Sequence, residues 1–377
     1  MKSKLDTFRT GGAMATGLSI AEHAYRNLKS FWQLNVHAAA RLHSPLPIQG
    51  DYIVGTSNGL MRMTPEGLTR LLRGHYFGVS VSEDRKLYVA WFGMLRRRAS
   101  AIFEIDLDRI LSGRGLYRPR CVFLRYDDID NDRIHQLCVA GDYLYAADTR
   151  CNSIIKLDRA TGEVVKTMYV FFDEHDKPIC FRHNHINSVS AYGDNLLFTA
   201  FHGRGGSMLG LIGNNEVRYW AYENAGVHDI YLRGDKVLIS DSFGNRKPGT
   251  VAEGTVGAVI ENGKNMSEEC FRGLESYMIR GIAGTGPETI VGLSVLWRDP
   301  NRKYTDKVGG LLVCNGGGHE VVAPLPFAQF FDVVRTDGKQ FDEPPGSVEC
   351  DDICALMTNS FGPPCKVRPL EACCADH

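Results

Sequence analysis

The feature that most constrains the fold is a repeat of two short apolar runs joined by a tight turn. Four copies align over residues 135–148, 187–200, 228–241 and 280–293, and a looser copy covers residues 77–91. In each copy, alternating apolar residues lead into a turn and a second β-prone run, which predicts strand, turn and strand. The copies begin about 40 to 60 residues apart, a spacing typical of the four-stranded blades of a β-propeller.

Two partial copies predict how such a ring closes. Residues 51–73 resemble the outer three strands of a blade that lacks its inner strand, and residues 330–338 resemble an inner strand without the others. Joining them gives an all-β propeller of six four-stranded blades, closed by strands from both ends of the repeat region. The loosest copies decide the count, so five or seven blades remain as alternatives.

The regions outside the repeats divide the chain into three parts. Residues 1–45 form an N-terminal extension, residues 46–340 the propeller, and residues 341–377 a Pro- and Cys-rich tail that fits no blade. Within the extension, residues 14–41 carry apolar side chains at helical spacing, which predicts a short helix packed on the propeller.

The tail holds five of the eleven cysteines. Cys350 and Cys354 have the spacing that places two thiols on one face of a helix. A soft-metal site, a redox pair and a tail with unconnected thiols are the alternatives. One hypothesis makes the tail the active part and the propeller its scaffold.

Charge and cysteine content limit the partners and the compartment. Lys and Arg total 43 against 44 Asp and Glu, so no global basic field attracts nucleic acid or anionic lipid. The sequence has no uncharged apolar stretch of about 18 residues that would span a membrane. The first six cysteines show no paired spacing, and the N-terminus does not resemble an export signal. We therefore expect a cytoplasmic protein with mostly reduced thiols that binds neither nucleic acid nor membranes.

One blade carries a recognisable motif. Tyr145, Asp148, Asn152, Ile154 and Asp158 occur in a run that resembles the repeat of NHL and gluconolactonase-like six-bladed propellers. The resemblance covers residues 50–340 as architecture and implies a six-bladed ring. Gluconolactonase-like enzymes carry axial carboxylates and amides around a divalent metal, whereas the corresponding positions of this sequence carry His and Arg beside one Asn.

The candidate site follows from propeller geometry, because the first residue of each inner strand lies near one mouth of the axial channel. These positions hold Phe77, His135, Asn187, His228, Arg280 and, from the closing strand, Phe330 or Phe331. Packing alone is satisfied by small or apolar residues there, yet four of these side chains are polar and able to bind a ligand. The pattern predicts a polar site at the channel mouth. The alternative is an axial plug of hydrogen-bonded side chains and water.

Two chemistries fit these residues. In the first, neutral His135 and His228 hold a divalent metal ion of unknown identity, with His185 or Asn187 as a further ligand, and the metal-bound water or enolate reacts. In the second, the two imidazoles act as general base and acid for β-elimination or ester hydrolysis. In both, Arg280 binds a substrate carboxylate or phosphate.

The leading hypothesis is therefore a metal-assisted lyase or hydrolase acting on a small anionic substrate, with His135, His228 and Arg280 as catalytic residues. The alternative is a non-catalytic propeller that binds a ligand or a protein.

Overall fold

The chain folds into six antiparallel sheets arranged as the blades of a propeller. The computed structural model describes residues 40–43, 45–93, 98–113, 119–127, 134–173, 177–179, 184–202, 206–222, 226–242, 258–265, 277–295, 309–315, 318–327, 329–342, 348–370 and 374–375. The inner strands of the sheets contact one another in cyclic order, and the sixth contacts the first. The structure thus confirms the all-β class and the six-bladed ring.

Blades 1 to 3 come first along the chain. Blade 1 contains β1 (Ala40–His43), β2 (Tyr52–Thr56), β3 (Gly59–Thr64) and β4 (Gly67–Leu72). Blade 2 contains β5 (His75–Val81), β6 (Lys86–Gly93), β7 (Arg98–Asp106) and β8 (Arg120–Asp127), with the short helix α1 (Leu107–Leu111) before β8. Blade 3 contains β9 (Ile134–Ala140), β10 (Tyr143–Asp148), β11 (Ser153–Asp158) and β12 (Val164–Tyr169).

Blades 4 to 6 follow the same plan. Blade 4 contains β13 (Asn184–Tyr192), β14 (Asn195–His202), β15 (Ser207–Gly213) and β16 (Glu216–Tyr222). Blade 5 contains β17 (Val227–Arg233), β18 (Lys236–Asp241), β19 (Ala258–Glu261) and β20 (Lys264–Asn265). Blade 6 contains β21 (Tyr277–Thr285), β22 (Glu288–Val295), β23 (Gly310–Asn315) and β24 (Gly318–Val322).

The ring closes through a strand from the far end of the repeat region. β25 (Phe330–Arg335) pairs with β2, with Tyr52 opposite Arg335, and becomes the inner strand of blade 1. The pairing of residues 51–73 with residues 330–338 is the predicted one. Because strands distant in sequence share this sheet, the ring has no open gap between its first and last blades.

Apolar contacts between blades form the core. The described residues form six clusters of buried apolar side chains, and each cluster fills one junction between two neighbouring blades. Each blade therefore buries both of its faces, which is why β2 and β22 are buried along their whole length. A single blade would leave both faces in water, so the blades stabilise one another.

The C-terminal segment differs from the prediction that it fits no blade. Helix α2 (Cys350–Phe361) packs Cys350, Ile353 and Met357 into the cluster between blades 4 and 5, and Cys354 packs against the same cluster. β26 (Lys366–Pro369) extends blade 4 beyond β16, and β27 (Cys374–Ala375) extends blade 3 beyond β12. Added strands satisfy backbone groups at the outer edges of these sheets.

The N-terminal part lies mostly outside the described residues. The helix predicted over residues 14–41 is described only at Ala40 and Arg41, and both belong to β1, which pairs with β4 as a fifth strand of blade 1. The end of the predicted helix is therefore extended. Over the described ranges no helix has the length and apolar character needed to span a membrane.

Candidate functional site

A register shift interrupts the inner strand of every blade beside a residue predicted to face the axis. The shifts in the inner pairings involve, in blade order, residues 330–332, 76–79, 134–137, 186–188, 227–229 and 280–282. Such a bulge turns neighbouring side chains away from strict alternation. In blade 6 the bulged residue is Gly281, with φ +70°, where a Cβ atom would lie 2.6 Å from the ring of Phe330.

The bulges surround a small cavity on the propeller axis, which we call the axial cavity. It encloses about 20 Å³, room for about one water molecule, and is partly open to solvent. Every blade contributes to its lining, which consists of Phe77, His135, Gln136, Asn187, His228, Asp229, Arg280 and Phe331. The structure therefore brings His135, Asn187, His228 and Arg280 together around one space.

Two of the predicted positions need correction or refinement. The closing strand supplies Phe331, whereas Phe330 is buried in the cluster between blades 1 and 6. His185 lies beside the axial cavity without lining it, with its ring centroid 6.0 Å from that of His135 and 5.4 Å from that of Phe201.

A buried hydrogen-bond network of Gln136, Asp229, Tyr231 and Asp332, which we call the axial network, adjoins the cavity. The amide nitrogen of Gln136 lies 3.1 Å from Asp229 Oδ1, 3.2 Å from Asp332 Oδ1 and 2.6 Å from Tyr231 Oη. Burial raises the pKa of Asp229 to about 6. Burial, together with the neighbouring charge of Asp229, raises the pKa of Asp332 well above its ordinary value. Burial therefore shifts both carboxyl groups towards protonation, and Asp229, with a pKa of about 6, stays mostly ionised at neutral pH.

Three side chains of the axial network and three serines join each blade to the inner strand of the next blade. Three of these bonds, each 2.9 Å long, run from backbone N–H groups to carboxylate or amide oxygens: Val79 to Asp332, Val189 to Gln136 and Gly281 to Asp229. At the other three junctions a serine makes the bond: Ser80 with Val139, Ser190 with Ile230, and Ser294 with Phe330. Side chains of one blade thus satisfy backbone groups at the edge of the following blade.

Sequence reasoning missed Gln136, Asp229 and Asp332 because strict strand alternation sends consecutive residues to opposite faces. The bulges break this alternation, so His135 and Gln136 both line the cavity, as do His228 and Asp229. The sequence nevertheless carries a signal for these residues. The residue after each predicted axial position is polar or glycine in all six blades.

His228 is held in one tautomer. Its Nδ1 lies 2.8 Å from the carbonyl oxygen of Gly226 and 2.7 Å from the hydroxyl of Ser242, which itself donates to the carbonyl of Ile279. Because carbonyl oxygens only accept, Nδ1 carries the hydrogen and Nε2 keeps its lone pair. Burial and the charge of Arg280 lower the pKa of His228 well below 6.5. The imidazole is therefore neutral at neutral pH.

Aromatic faces and one guanidinium line the rest of the cavity. The ring of Phe77 stacks on Phe331 at 4.2 Å and on His135 at 5.7 Å between centroids. The guanidinium carbon of Arg280 lies 5.9 Å from the centroid of Phe331, within cation–π range. The site combines the positive charge of Arg280 with the carboxyl group of Asp229, the neutral imidazole of His228 and flat apolar surfaces.

The predicted metal site has no matching ligand cluster. Within the part of the chain that the structure describes, no three His, Cys, Asp or Glu residues are arranged to hold a metal ion. Arg280 lowers the pKa of both His185 and His228, so its positive field reaches the imidazoles and opposes a cation there. The metal-binding roles of His135, His185, Asn187 and His228 stay predictions.

Comparison with known proteins assigns no family to the chain. No protein-family model matches the chain, and no curated protein matches it. The chain is similar to a structure of the nidogen/laminin complex, with 8% identity, a TM-score of 0.49, and coverage of 76% of this chain and 97% of that chain. The chain is also similar to hydrazine synthase of Kuenenia stuttgartiensis, with 11% identity, a TM-score of 0.41, and coverage of 68% of this chain and 67% of that chain. A third similar structure is the dihydro-heme d1 dehydrogenase NirN in complex with DHE, with 12% identity, a TM-score of 0.32, and coverage of 82% of this chain and 81% of that chain.

These likenesses are too distant to carry an argument about function. The six-bladed architecture implied by the resemblance to NHL and gluconolactonase-like propellers is present, and membership of either family is not shown.

The environment of His185 predicts a pH-dependent contribution to stability. Burial and the charge of Arg280 lower the pKa of His185 from 6.5 to about 4. Between these values the unfolded chain binds a proton that the native state excludes, so the unfolding free energy falls as the pH drops from 6.5 towards 4. His185→Gln should lose less stability than the wild type between pH 7 and pH 5 in urea unfolding.

The matched control is His319→Gln, which replaces an exposed histidine on β24 and should follow the wild-type pH dependence. Identical pH dependence in the wild type and His185→Gln would contradict the neutral state of His185.

Proposed function

We propose that the protein binds a small organic anion at the open mouth of the axial cavity and that His228 acts on it as a general base. The observation that carries the proposal is the convergence of Arg280, neutral His228 and stacked aromatic rings, each from a different blade. A guanidinium binds carboxylate or phosphate through paired hydrogen bonds, and aromatic faces cover the apolar part of a ligand. This supports the anionic substrate expected from the sequence.

The positive charge of Arg280 favours an anion at the cavity, although the carboxyl group of Asp229 also belongs to its lining. Arg280 lowers the pKa of His185 and of His228, so its field extends to both histidines. The positive charge of Arg280 stabilises an anion bound in the same space, and burial keeps water from screening this attraction. Because the cavity encloses only about 20 Å³, we expect one carboxylate or phosphate oxygen of the ligand to enter it while the rest of the ligand lies at its open mouth.

The proposal needs no metal ion. Arg280 supplies the positive charge that a metal would otherwise provide to the bound anion. The metal-assisted lyase or hydrolase remains an alternative that metal removal tests directly.

Binding is tested with acetate, benzoate and inorganic phosphate as probes, followed by NMR titration. Arg280→Met should weaken binding about tenfold to a hundredfold, because a hydrogen-bonded charge is lost, and Arg280→Lys should retain part of it. Arg109→Met, at an exposed arginine on α1, is the matched control and should bind as the wild type does. Treatment with a chelator should leave the affinities unchanged.

Equal affinity in Arg280→Met and wild type would contradict the proposal. Loss of binding after chelation, restored by a divalent metal, would favour the metal-assisted alternative.

The fixed tautomer of His228 supports the catalytic part of the proposal. Its Nε2 lone pair is available to take a proton from a carbon next to a carbonyl, and the electron pair left on the substrate becomes an enolate beside Arg280. Proton abstraction of this kind begins a β-elimination, the lyase chemistry expected from the sequence.

The test uses pyruvate, whose methyl protons are acidic, in deuterated water, with proton NMR to follow exchange. The wild type should catalyse loss of the methyl signal, and His228→Gln should reduce the rate at least about tenfold, since general bases typically contribute that much or more. His319→Gln should behave as the wild type. Binding without exchange in the wild type would favour the non-catalytic binding propeller.

A further inference from the structure

A second cavity lies between the ends of the inner strands, on the other side of the axial network from the axial cavity. We call it the basal cavity. It has a volume of about 220 Å³, is partly open to solvent, and is lined by residues 79–80, 137–139, 189–192, 231–232, 334 and 338–342. Five inner strands thus contribute to it, and the segment after β25 closes the side of blade 6, where the Gly284 N–H donates to the Gln340 carbonyl at 2.9 Å.

Aromatic rings and branched aliphatic side chains form much of the wall. The rings of Tyr231 and Phe341 meet edge to face, with centroids 6.0 Å apart, and Tyr192 adds a third ring. Leu137 and Leu232 also line the space. An apolar cavity of about 150 Å³ in a protein is large enough to hold benzene. The basal cavity therefore has room for one aromatic ring with a small substituent.

The surroundings of the basal cavity favour a neutral ligand. Burial raises the pKa of the Cys138 thiol to about 12 and raises the pKa of Tyr192 well above its ordinary value, so negative charge is disfavoured in this space. The two charged residues of the lining, Lys339 and Asp342, have opposite signs, and Asp342 pairs with Arg335 at 2.6 Å. No excess of one charge is left to attract an ion.

One polar group of the wall has a hydrogen to donate. The hydroxyl oxygen of Tyr231 accepts a hydrogen bond from Gln136 Nε2 at 2.6 Å. Over the described part of the chain, no group accepts the hydrogen of this hydroxyl. Because Tyr231 lines the basal cavity, a carbonyl oxygen on a bound molecule is placed to accept it.

We propose that the basal cavity is a second ligand site, for a small neutral aromatic molecule that carries a carbonyl oxygen. The ring packs among Tyr192, Leu232 and Phe341, and the carbonyl oxygen accepts the hydrogen of Tyr231. This inference goes beyond the proposed function and does not depend on it, because the axial network separates the two cavities.

Acetophenone is the probe, followed by NMR through the methyl signals of Val79, Val189 and Leu232. It should shift these signals in the wild type, whereas benzoate, with the same ring and a charge, should leave them unchanged. Cys138→Phe should weaken acetophenone binding at least about tenfold, because the larger side chain fills a cavity made for one ring. Cys314→Phe, on β23 and outside the lining of both cavities, is the matched control.

The hydrogen bond is tested by comparing acetophenone with ethylbenzene, which has the same ring and no carbonyl. Tyr231→Phe should weaken acetophenone about threefold to tenfold, the range of one neutral hydrogen bond, and leave the affinity for ethylbenzene unchanged. An equal effect on both molecules would overturn the preference for a carbonyl oxygen.

The wild-type titration decides the inference even if Cys138→Phe does not fold. Absence of acetophenone-induced shifts at Val79, Val189 and Leu232 would overturn it. Arg280→Met should bind acetophenone as the wild type does, and loss of binding there would assign the probe to the axial cavity and overturn the second site. Failure of anion binding at Arg280 would defeat the proposed function and leave the basal cavity untouched.

Discussion

Six strand edges meet around the axis of this propeller, and the backbone groups on those edges must find hydrogen-bond partners in a space largely closed to water. An unpaired backbone N–H in such a place costs about as much as a lost hydrogen bond, and six blades multiply the cost. The chain meets the requirement with at least one side chain at each junction, drawn from the preceding blade. Burying Asp229 and Asp332 for this purpose raises their pKa values and shifts both towards protonation.

This constraint also shapes the candidate site. The bulges that turn Gln136 and Asp229 into the axial network leave His135 and His228 facing the same cavity. Arg280, Asn187 and His228 lie on the inner strands β21, β13 and β17 rather than on loops. Placement of this kind suits a site that recognises a small ligand through a few directed contacts.

The repeat pattern was sufficient to predict the ring, its closure and the residues around its mouth, because turn residues and apolar alternation are local signals. The repeat alone predicted that residues as distant in sequence as His135 and Arg280 meet at the propeller axis. The axial network required knowledge of the bulges, which depend on contacts between blades. The strands added by β26 and β27 were equally invisible, since four-residue and two-residue strands carry little pattern of their own. The metal hypothesis stays a prediction, because sequence spacing does not show how far apart two imidazoles lie.

The central claim is that side chains of one blade hold the inner edge of the next. Native-state hydrogen exchange at the backbone N–H groups of Val79, Val189 and Gly281 tests it most directly, because side chains from neighbouring blades accept these hydrogen bonds. The account predicts exchange as slow as that of amides in the middle of β10, through global unfolding only. Exchange as fast as that of the exposed turn at Gly141 would contradict it.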